Sequence, residues 1–277
     1  MILVADIGGT KGHWGLIDNN KVYHYTTDGY NPYMFSNEKV FINLIGSLKN
    51  SFSFDKVEEL HYYGSGCNSN DIAYSLSSIL NKIFVNASVN VNSDLLAACR
   101  ATCINNKGVV SILGTGSNSC YYNGKEIVKK INSLGYLLGD EGSGYDMGKE
   151  FFRMYKRDLL PKNLYMSFKL KYDKNNTLLK EIYDTNNSSK FVASFSKFIL
   201  KNENHLFIQN FIRLHFEKYF DEILSKYDLN NTLYFSGSIA FYYKSFLKKI
   251  AEERDYKIGK IVLSPIDGIS KFHSNKK

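Results

Sequence analysis

The sequence predicts an α/β protein of two domains that repeat one topology. Three observations carry this expectation. Apolar runs of strand length alternate with segments of helical period along the 277 residues. A glycine turn, Asp6-Ile7-Gly8-Gly9-Thr10-Lys11, follows the first apolar run directly, and a second, Gly114-Thr115-Gly116-Ser117-Asn118, follows another run in the second half.

The elements follow in order. Residues 2–7 read as a strand, and His13 to Ile17 and Lys21 to Tyr25 as two more, parted by the Asp18-Asn19-Asn20 turn signal. Val40, Phe41, Leu44, Ile45 and Leu48 repeat at helical spacing over 38–49, and Glu59 to Tyr63 is a fourth strand. A helix over 71–82, a strand over 84–91 and a helix over 94–104 capped by Ser93 complete a β-β-β-α-β-α-β-α order. The order then restarts with strands at 108–113, 119–122 and 126–131. A helix-rich stretch over about 144–228 follows, then strands at 232–235 and 257–263 around a helix at 239–254. Domains at 1–105 and 106–264 are expected. Ligands of open α/β sheets bind beyond the carboxyl ends of strands, so both glycine turns are expected to line a cleft.

Composition limits the function classes. Hydrophobic residues make up 44% and aromatics 15%, which excludes a disordered chain, and 3 prolines leave no proline-rich linker. The formal charge of +8 is spread along the chain and is mostly lysine, so no nucleic-acid partner is expected. Cys67, Cys99, Cys103 and Cys120 form no CxxC pair and have no histidine at zinc-finger spacing, which fits buried thiols in a reducing compartment. No basic leader and no bilayer-length apolar run is present, and a cytoplasmic protein without a membrane partner is expected.

The two turns carry the first chemistry. Glycine lets a turn present its N–H groups to an anion because no Cβ blocks the approach. An aspartate at the strand end, Asp6, supplies a hard oxygen for Mg²⁺. Each turn alone could simply link two strands; the pairing favours phosphate binding. A P-loop fails, since Ser143 stands where its first glycine is required and Glu150 follows Gly148-Lys149. The dinucleotide fingerprint fails as well, because Gly8-Gly9-Thr10 feeds a strand rather than a helix.

Asp94 follows an apolar strand and opens a helix. There it could merely complement the helix dipole, or it could accept a hydroxyl proton in phosphoryl transfer. Gly139-Asp140-Glu141-Gly142-Ser143-Gly144 is a second acidic cluster, suited to hydroxyl recognition or metal contact, with an acidic first turn of a helix as the competing reading.

Asp6 to Lys11, Ser93-Asp94, Gly114 to Asn118, Gly139 to Gly144 and Ser236-Gly237-Ser238 resemble, in order, five motifs of one family: phosphate-1, catalytic, phosphate-2, sugar-loop and adenosine. The family is that of N-acetylglucosamine kinases and BadF-type ATPases, within the sugar kinase, Hsp70 and actin superfamily. The resemblance spans nearly the whole chain. It implies two ribonuclease H-like (actin-like ATPase) domains with an interdomain cleft, the C-terminal helix at about 265–277 rejoining the first domain, and ATP with Mg²⁺ as cofactors. It further implies phosphorylation of an amino sugar, N-acetylglucosamine, at the 6-hydroxyl, and a homodimer.

Residue by residue, Asp94 resembles the catalytic base and Asp6 the metal contact. Gly8, Gly9, Thr10, Lys11, Gly114, Thr115 and Gly116 resemble phosphate contacts, and Gly237 and Ser238 the adenosine loop. Asn31, Tyr33, Ser65, Gly66, Asp94, Thr115, Gly135 and Asp140 resemble sugar contacts. Departures touch sugar specificity: the two-glycine step is Leu134-Gly135 here, and Tyr136 stands where the family often has tryptophan. The repressor and hexokinase relatives carry a zinc motif and a Glu-x-Gly-His motif that this chain lacks, and the activators of acyl-CoA dehydratases need cluster-binding cysteines in a glycine frame that it lacks too. The competing function is an ATP-hydrolysing, nucleotide-gated regulator or activator with no sugar acceptor.

Overall fold

The structure, a computed structural model, describes residues 1–19, 21–32, 38–67, 69–185, 187–228 and 230–274. The chain divides into two compact units. The first comprises Met1–Val110, Tyr122–Val128 and Ser264–Lys277, the second Ser111–Tyr121 and Lys129–Leu263.

In the first unit β1 (Ile2–Ile7), β2 (Lys11–Asp18), β3 (Lys21–Asp28), α1 (Glu38–Gly46), β4 (Glu59–Gly64), α2 (Asn70–Ile83), β5 (Ser88–Ser93) and α3 (Asp94–Thr102) build a sheet of order β3-β2-β1-β4-β5. The β1–β2 and β2–β3 pairs are antiparallel, and β1–β4 and β4–β5 are parallel. Strand alternation sends Leu3, Ala5 and Ile7 to one face, where they pack with Trp14, Leu60, Tyr62, Phe41 of α1 and Leu80 of α2. Ile2 and Val4 pack on the other face with Ile17, Tyr63, and Ala97 and Ala101 of α3. Burial on both faces explains why β1 reads as a continuous apolar run.

The second sheet begins with β6 (Gly108–Leu113), β7 (Ser117–Tyr122) and β8 (Ile127–Lys130). The helices α4 (Gly135–Leu138), α5 (Gly144–Lys156), α6 (Lys162–Tyr172), α7 (Leu178–Asp184), α8 (Ser188–Ala193), α9 (Ser196–Lys201) and α10 (Leu206–Glu222) follow. Then come β9 (Leu233–Ser236), α11 (Ser238–Tyr242), α12 (Lys244–Glu253), β10 (Ile258–Val262) and α13 (Ile266–Ser274). Its order, β8-β7-β6-β9-β10, repeats that of the first sheet strand for strand. The α/β class, with its two mixed sheets and flanking helices, is thus as the sequence predicts.

α13 joins the first unit, where Ile266 and Ile269 enter the core face of α3. The fit is tight. A Cβ on Gly268 would stand 2.6 Å from Ala101 Cα, and one on Gly15 would stand 2.5 Å from Ser270 Oγ.

Among the element boundaries that differ from the sequence reading, three have a physical reason visible in the packing. The strand expected from residue 84 starts at Ser88, because fully buried Phe84 closes α2 with its N–H on the Leu80 carbonyl. α3 ends at Thr102 rather than 104; Ile104, in the left-handed region at φ 59°, cannot continue it. The helix expected over 239–254 breaks at Tyr243, whose buried hydroxyl donates to the Ser196 carbonyl at 2.6 Å. Side-chain anchoring outweighed continuous helical periodicity there.

In the helical region, buried Asp173 gathers Tyr155 Oη at 2.8 Å, Lys156 Nζ at 2.6 Å and the Leu178 N–H at 2.9 Å. All four cysteines are buried and free. Among the described residues no helix is long and apolar enough to cross a membrane.

Candidate functional site

In the first unit, β1 delivers Asp6 and then turns at Gly8–Lys11. The turn closes with the Gly8 N–H on the Lys11 carbonyl at 3.0 Å, and the Tyr30 N–H binds the Gly8 carbonyl at 3.1 Å. Gly29 fits beneath it. A Cβ there would stand 2.5 Å from the Thr10 and Lys11 nitrogens and closer still to the Gly8 carbonyl oxygen, so any side chain would displace the turn. Gly8 and Gly9, by contrast, meet only ordinary van der Waals contacts at their Cβ positions, nothing there being closer than the Lys11 carbonyl oxygen at 3.4 Å. Asn31 follows on the same loop, with its Cβ 3.9 Å from the Cβ position of Gly9.

Registration across the parallel strands places Ile7 beside Gly64 and Gly64 beside Ser93. Asp6 at one strand end and Asp94 just past another therefore flank the end of β4, where Ser65 and Gly66 follow. The Ser65 N–H binds the Ile7 carbonyl at 2.8 Å, and Gly66 takes a left-handed φ of 80°. Ser93 caps α3 by accepting the Leu96 N–H at 3.3 Å, and Asp94 Oδ1 accepts the Leu95 N–H at 2.8 Å. Burial, reinforced by the Asp94 charge and opposed by the Ser264 hydroxyl, raises the Asp6 carboxyl to about 7. That hydroxyl donates to Asp6 Oδ2 at 3.2 Å. Burial, with the same Asp94 charge, pushes the Cys67 thiol up to about 12, so it stays protonated and inert.

Two neighbouring carboxylates, one buried and raised by the charge of the other, suit a divalent ion. Mg²⁺ takes one or two protein carboxylates and draws its other ligands from phosphate and water. Asp6 is the residue of this set that would hold it. Among the described residues no group of three or more histidine, cysteine or acidic side chains forms a fuller metal cage.

In the second unit, β6 ends in the Gly114–Ser117 turn. The Gly114 N–H binds the Gly116 carbonyl at 2.9 Å, and the first amides of α5 bind this turn, Gly144 N–H to the Gly114 carbonyl at 2.8 Å and Tyr145 N–H to the Thr115 carbonyl at 3.0 Å. Gly114 has open space at its Cβ position, its nearest atom being 4.0 Å away. Gly237 is the opposite case: at φ 109° its Cβ would run into the Leu113 carbonyl, and its N–H binds Val262. It buttresses the turn, while Ser238, the first residue of α11, is exposed.

Asp140 lies against Gly116, where a Cβ would stand 2.5 Å from Asp140 Oδ2. Burial raises its carboxyl above the usual range, against a hydrogen bond from the Ser117 backbone; Glu141 and Asp146 add to the rise and Lys149 opposes it. At φ 59° and four residues ahead of α5, Asp140 is no first-turn residue of that helix. Ser143 caps α5, and its acidic first-turn residue is Asp146. Gly135 opens α4 at φ 69° in exposed surroundings.

The first unit thus brings together Asp6, Gly8, Gly9, Thr10, Lys11, Asn31, Ser65, Gly66 and Asp94. The second brings together Gly114, Thr115, Gly116, Asp140 and Gly237. Gly135 has no atom within 4 Å of its Cβ position, and Tyr33 lies outside the described residues. Sequence reasoning missed Gly29 and Ser264. The glycine after the Asp28 strand end was a visible signal for the first; nothing in the sequence linked Ser264 to Asp6 across 258 positions.

No protein-family model matches the chain, and no curated protein does. Among solved structures it is similar to a candidate N-acetylglucosamine kinase from Porphyromonas gingivalis, at 29% identity and TM-score 0.90, over 100% of this chain and 99% of that one. A candidate N-acetylglucosamine kinase from Chromobacterium violaceum follows at 12% identity and TM-score 0.74, covering 98% of this chain and 99% of that one. A ROK family glucokinase from Streptomyces griseus, solved in complex with glucose and AMPPNP, shares the fold at 13% identity and TM-score 0.58, over 95% of this chain and 93% of that one.

Proposed function

We propose that this chain, which belongs to the N-acetylglucosamine kinase and BadF-type ATPase family, is an ATP-dependent sugar kinase whose acceptor is the 6-hydroxyl of an amino sugar, N-acetylglucosamine first among them. The observation that carries the reading is the pair Asp6 and Asp94. Two carboxylates flank one strand end in the unit that also holds the Gly8–Lys11 turn, close enough that the charge of one raises the other.

In this reading the Gly8–Lys11 and Gly114–Ser117 turns take phosphate oxygens of ATP on their N–H groups, and Gly237-Ser238 contacts the adenosine. Asp94 accepts the proton of the sugar hydroxyl as its oxygen bonds to the γ-phosphorus, and the bond to the bridging oxygen breaks to release ADP. Asp94 is held by the Leu95 N–H at the Ser93-capped helix start, which orients its carboxyl. Mg²⁺, when bound through Asp6, neutralises phosphate charge. Asn31, Ser65, Gly66, Thr115, Gly135 and Asp140 contact the acceptor, Asp140 through sugar hydroxyls. Positioning and charge neutralisation do most of the work, as phosphoryl transfer requires.

The test is ADP release from the purified protein with ATP and a panel of N-acetylglucosamine, glucosamine, N-acetylmannosamine, N-acetylmuramic acid and glucose. Release that depends on an amino sugar, with product carrying phosphate at the 6-oxygen, supports the reading. Release at the same rate without any sugar would replace it with the nucleotide-gated regulator.

A further inference from the structure

We propose that His215 and Tyr219, one turn apart on α10, are positioning residues that hold the Asp140 loop in its binding geometry. The inference rests on the sugar-kinase reading, in which Asp140 contacts acceptor hydroxyls.

Residues at i and i+4 share one helix face, and here that face meets the loop from beneath. Tyr219 is fully buried, and a Cβ on Gly142 would stand 2.7 Å from its ring. Its hydroxyl donates to Ser111 Oγ at 2.8 Å, on the strand that runs into the Gly114 turn. One side chain therefore ties the acidic loop to the strand carrying the phosphate turn.

His215 is the second support. Its Nδ1 lies 3.8 Å from Asp146 Oδ2, in the first turn of the helix the loop feeds. Burial holds the imidazole below its usual range; the Asp146 carboxylate and the Gly142 backbone pull the other way, and Lys218 and Lys149 side with burial. The ring is thus a neutral, oriented group. Its Nε2 is buried without a hydrogen-bond partner among the described residues, a cost that a purely structural core position would shed with an apolar side chain.

The loop needs such support. Asp140 and Gly142 both occupy left-handed backbone, at φ 59° and 76°, a conformation that persists only where the surroundings impose it. The Gly116 and Ser117 backbone holds Asp140 from one side. α10 holds Gly142 and Asp146 from the other.

The test uses three variants: His215→Leu, His215→Gln and Tyr219→Phe, the last removing a single oxygen. In the ADP-release assay His215→Leu and Tyr219→Phe should raise the sugar KM about 3- to 10-fold, the value of one buried hydrogen bond, with ATP KM and kcat kept within about twofold. His215→Gln, which retains a polar donor, should recover most of the loss. Amide hydrogen exchange at Ser117, which donates to Asp140, reads the same geometry without turnover. It should quicken in His215→Leu while the amides of β9 keep their rates. Unchanged exchange at Ser117 overturns the proposal, and so does a fall in kcat with the sugar KM untouched. If the wild-type protein gives no acceptor-dependent release, the kinase reading fails and Ser117 exchange alone decides the positioning role.

Discussion

The two sheets share one strand order, yet their corresponding strand ends carry different chemistry. Aligned on the glycine turns, Asp6-Ile7-Gly8 of β1 stands against Ile112-Leu113-Gly114 of β6. The helix after β5 opens with Ser93-Asp94, while the helix after β10 follows Ser264-Pro265. Both serines cap by accepting an N–H two or three residues on, from Leu96 and Ile266. Only the first repeat has carboxylates at these two places. One topology delivers a turn to the same place twice, and substitution at the strand ends leaves carboxylates beside one copy and apolar residues or proline beside the other.

The turns are also supported differently. Gly29, after β3, seats the Gly8–Lys11 turn, whereas Gly237, after β9, buttresses the Gly114 turn at a positive φ. In the second repeat the first amides of α5 add bonds to the turn's carbonyls. In the first, the start of α3 bonds to its own Asp94 and Ser93.

The largest test of this contrast is Asp94→Asn. If chemistry resides in the first repeat alone, kcat should fall about 10²- to 10⁴-fold with sugar affinity, measured by calorimetry, nearly unchanged. Near-normal turnover would remove Asp94 as the base. Next come the buried charges of the helical region. Asp173→Asn should destabilise by about 1–3 kcal/mol, because it removes the charge from a buried acceptor shared by Lys156, Tyr155 and the Leu178 N–H. Lys156, Tyr155 and Leu178 hold the Asp173 carboxyl below its usual range against burial. A depressed folded value means that its stabilisation is present above the unfolded pKa of about 4 and is lost as pH falls below it. Wild-type melting temperature should therefore drop below pH about 4, and the drop should be smaller in the variant.

The glycine seats separate the two turns. Gly237→Ala adds a backbone clash and φ strain, and should cost about 1–3 kcal/mol in denaturant titration and weaken ATP binding about tenfold. Gly29→Ala lacks the φ strain but meets a tighter clash, with the Thr10 and Lys11 nitrogens 2.5 Å from the new Cβ, and should cost at least as much. A clearly smaller cost at Gly29 would show that the positive φ of Gly237 outweighs the clash. Gly114→Val, on an open position, should weaken ATP binding while leaving stability nearly unchanged. The smallest effect is Ile104→Gly at the left-handed residue after α3, a gain of about 1 kcal/mol read as a higher Tm.

Strand periodicity, turn glycines and serine caps are local signals, since each rests on backbone geometry within a few residues. The sequence by itself therefore determined the α/β class, the repeated element order, both turns and the Ser93 cap. It placed β5 four residues early and ran one helix through Tyr243, because neither Phe84's burial nor Tyr243's bond to Ser196 has a local signature. Tertiary structure alone decided which glycines have room for a Cβ and which are packed: Gly8 and Gly114 look the same in sequence as Gly29 and Gly237. It alone brought Ser264 to Asp6, Gly268 to Ala101, and His215 and Tyr219 under the Asp140 loop. The reason is physical. Burial, close approach and the charge felt by a carboxyl depend on atoms distant along the chain, which only the folded packing brings within a few ångströms.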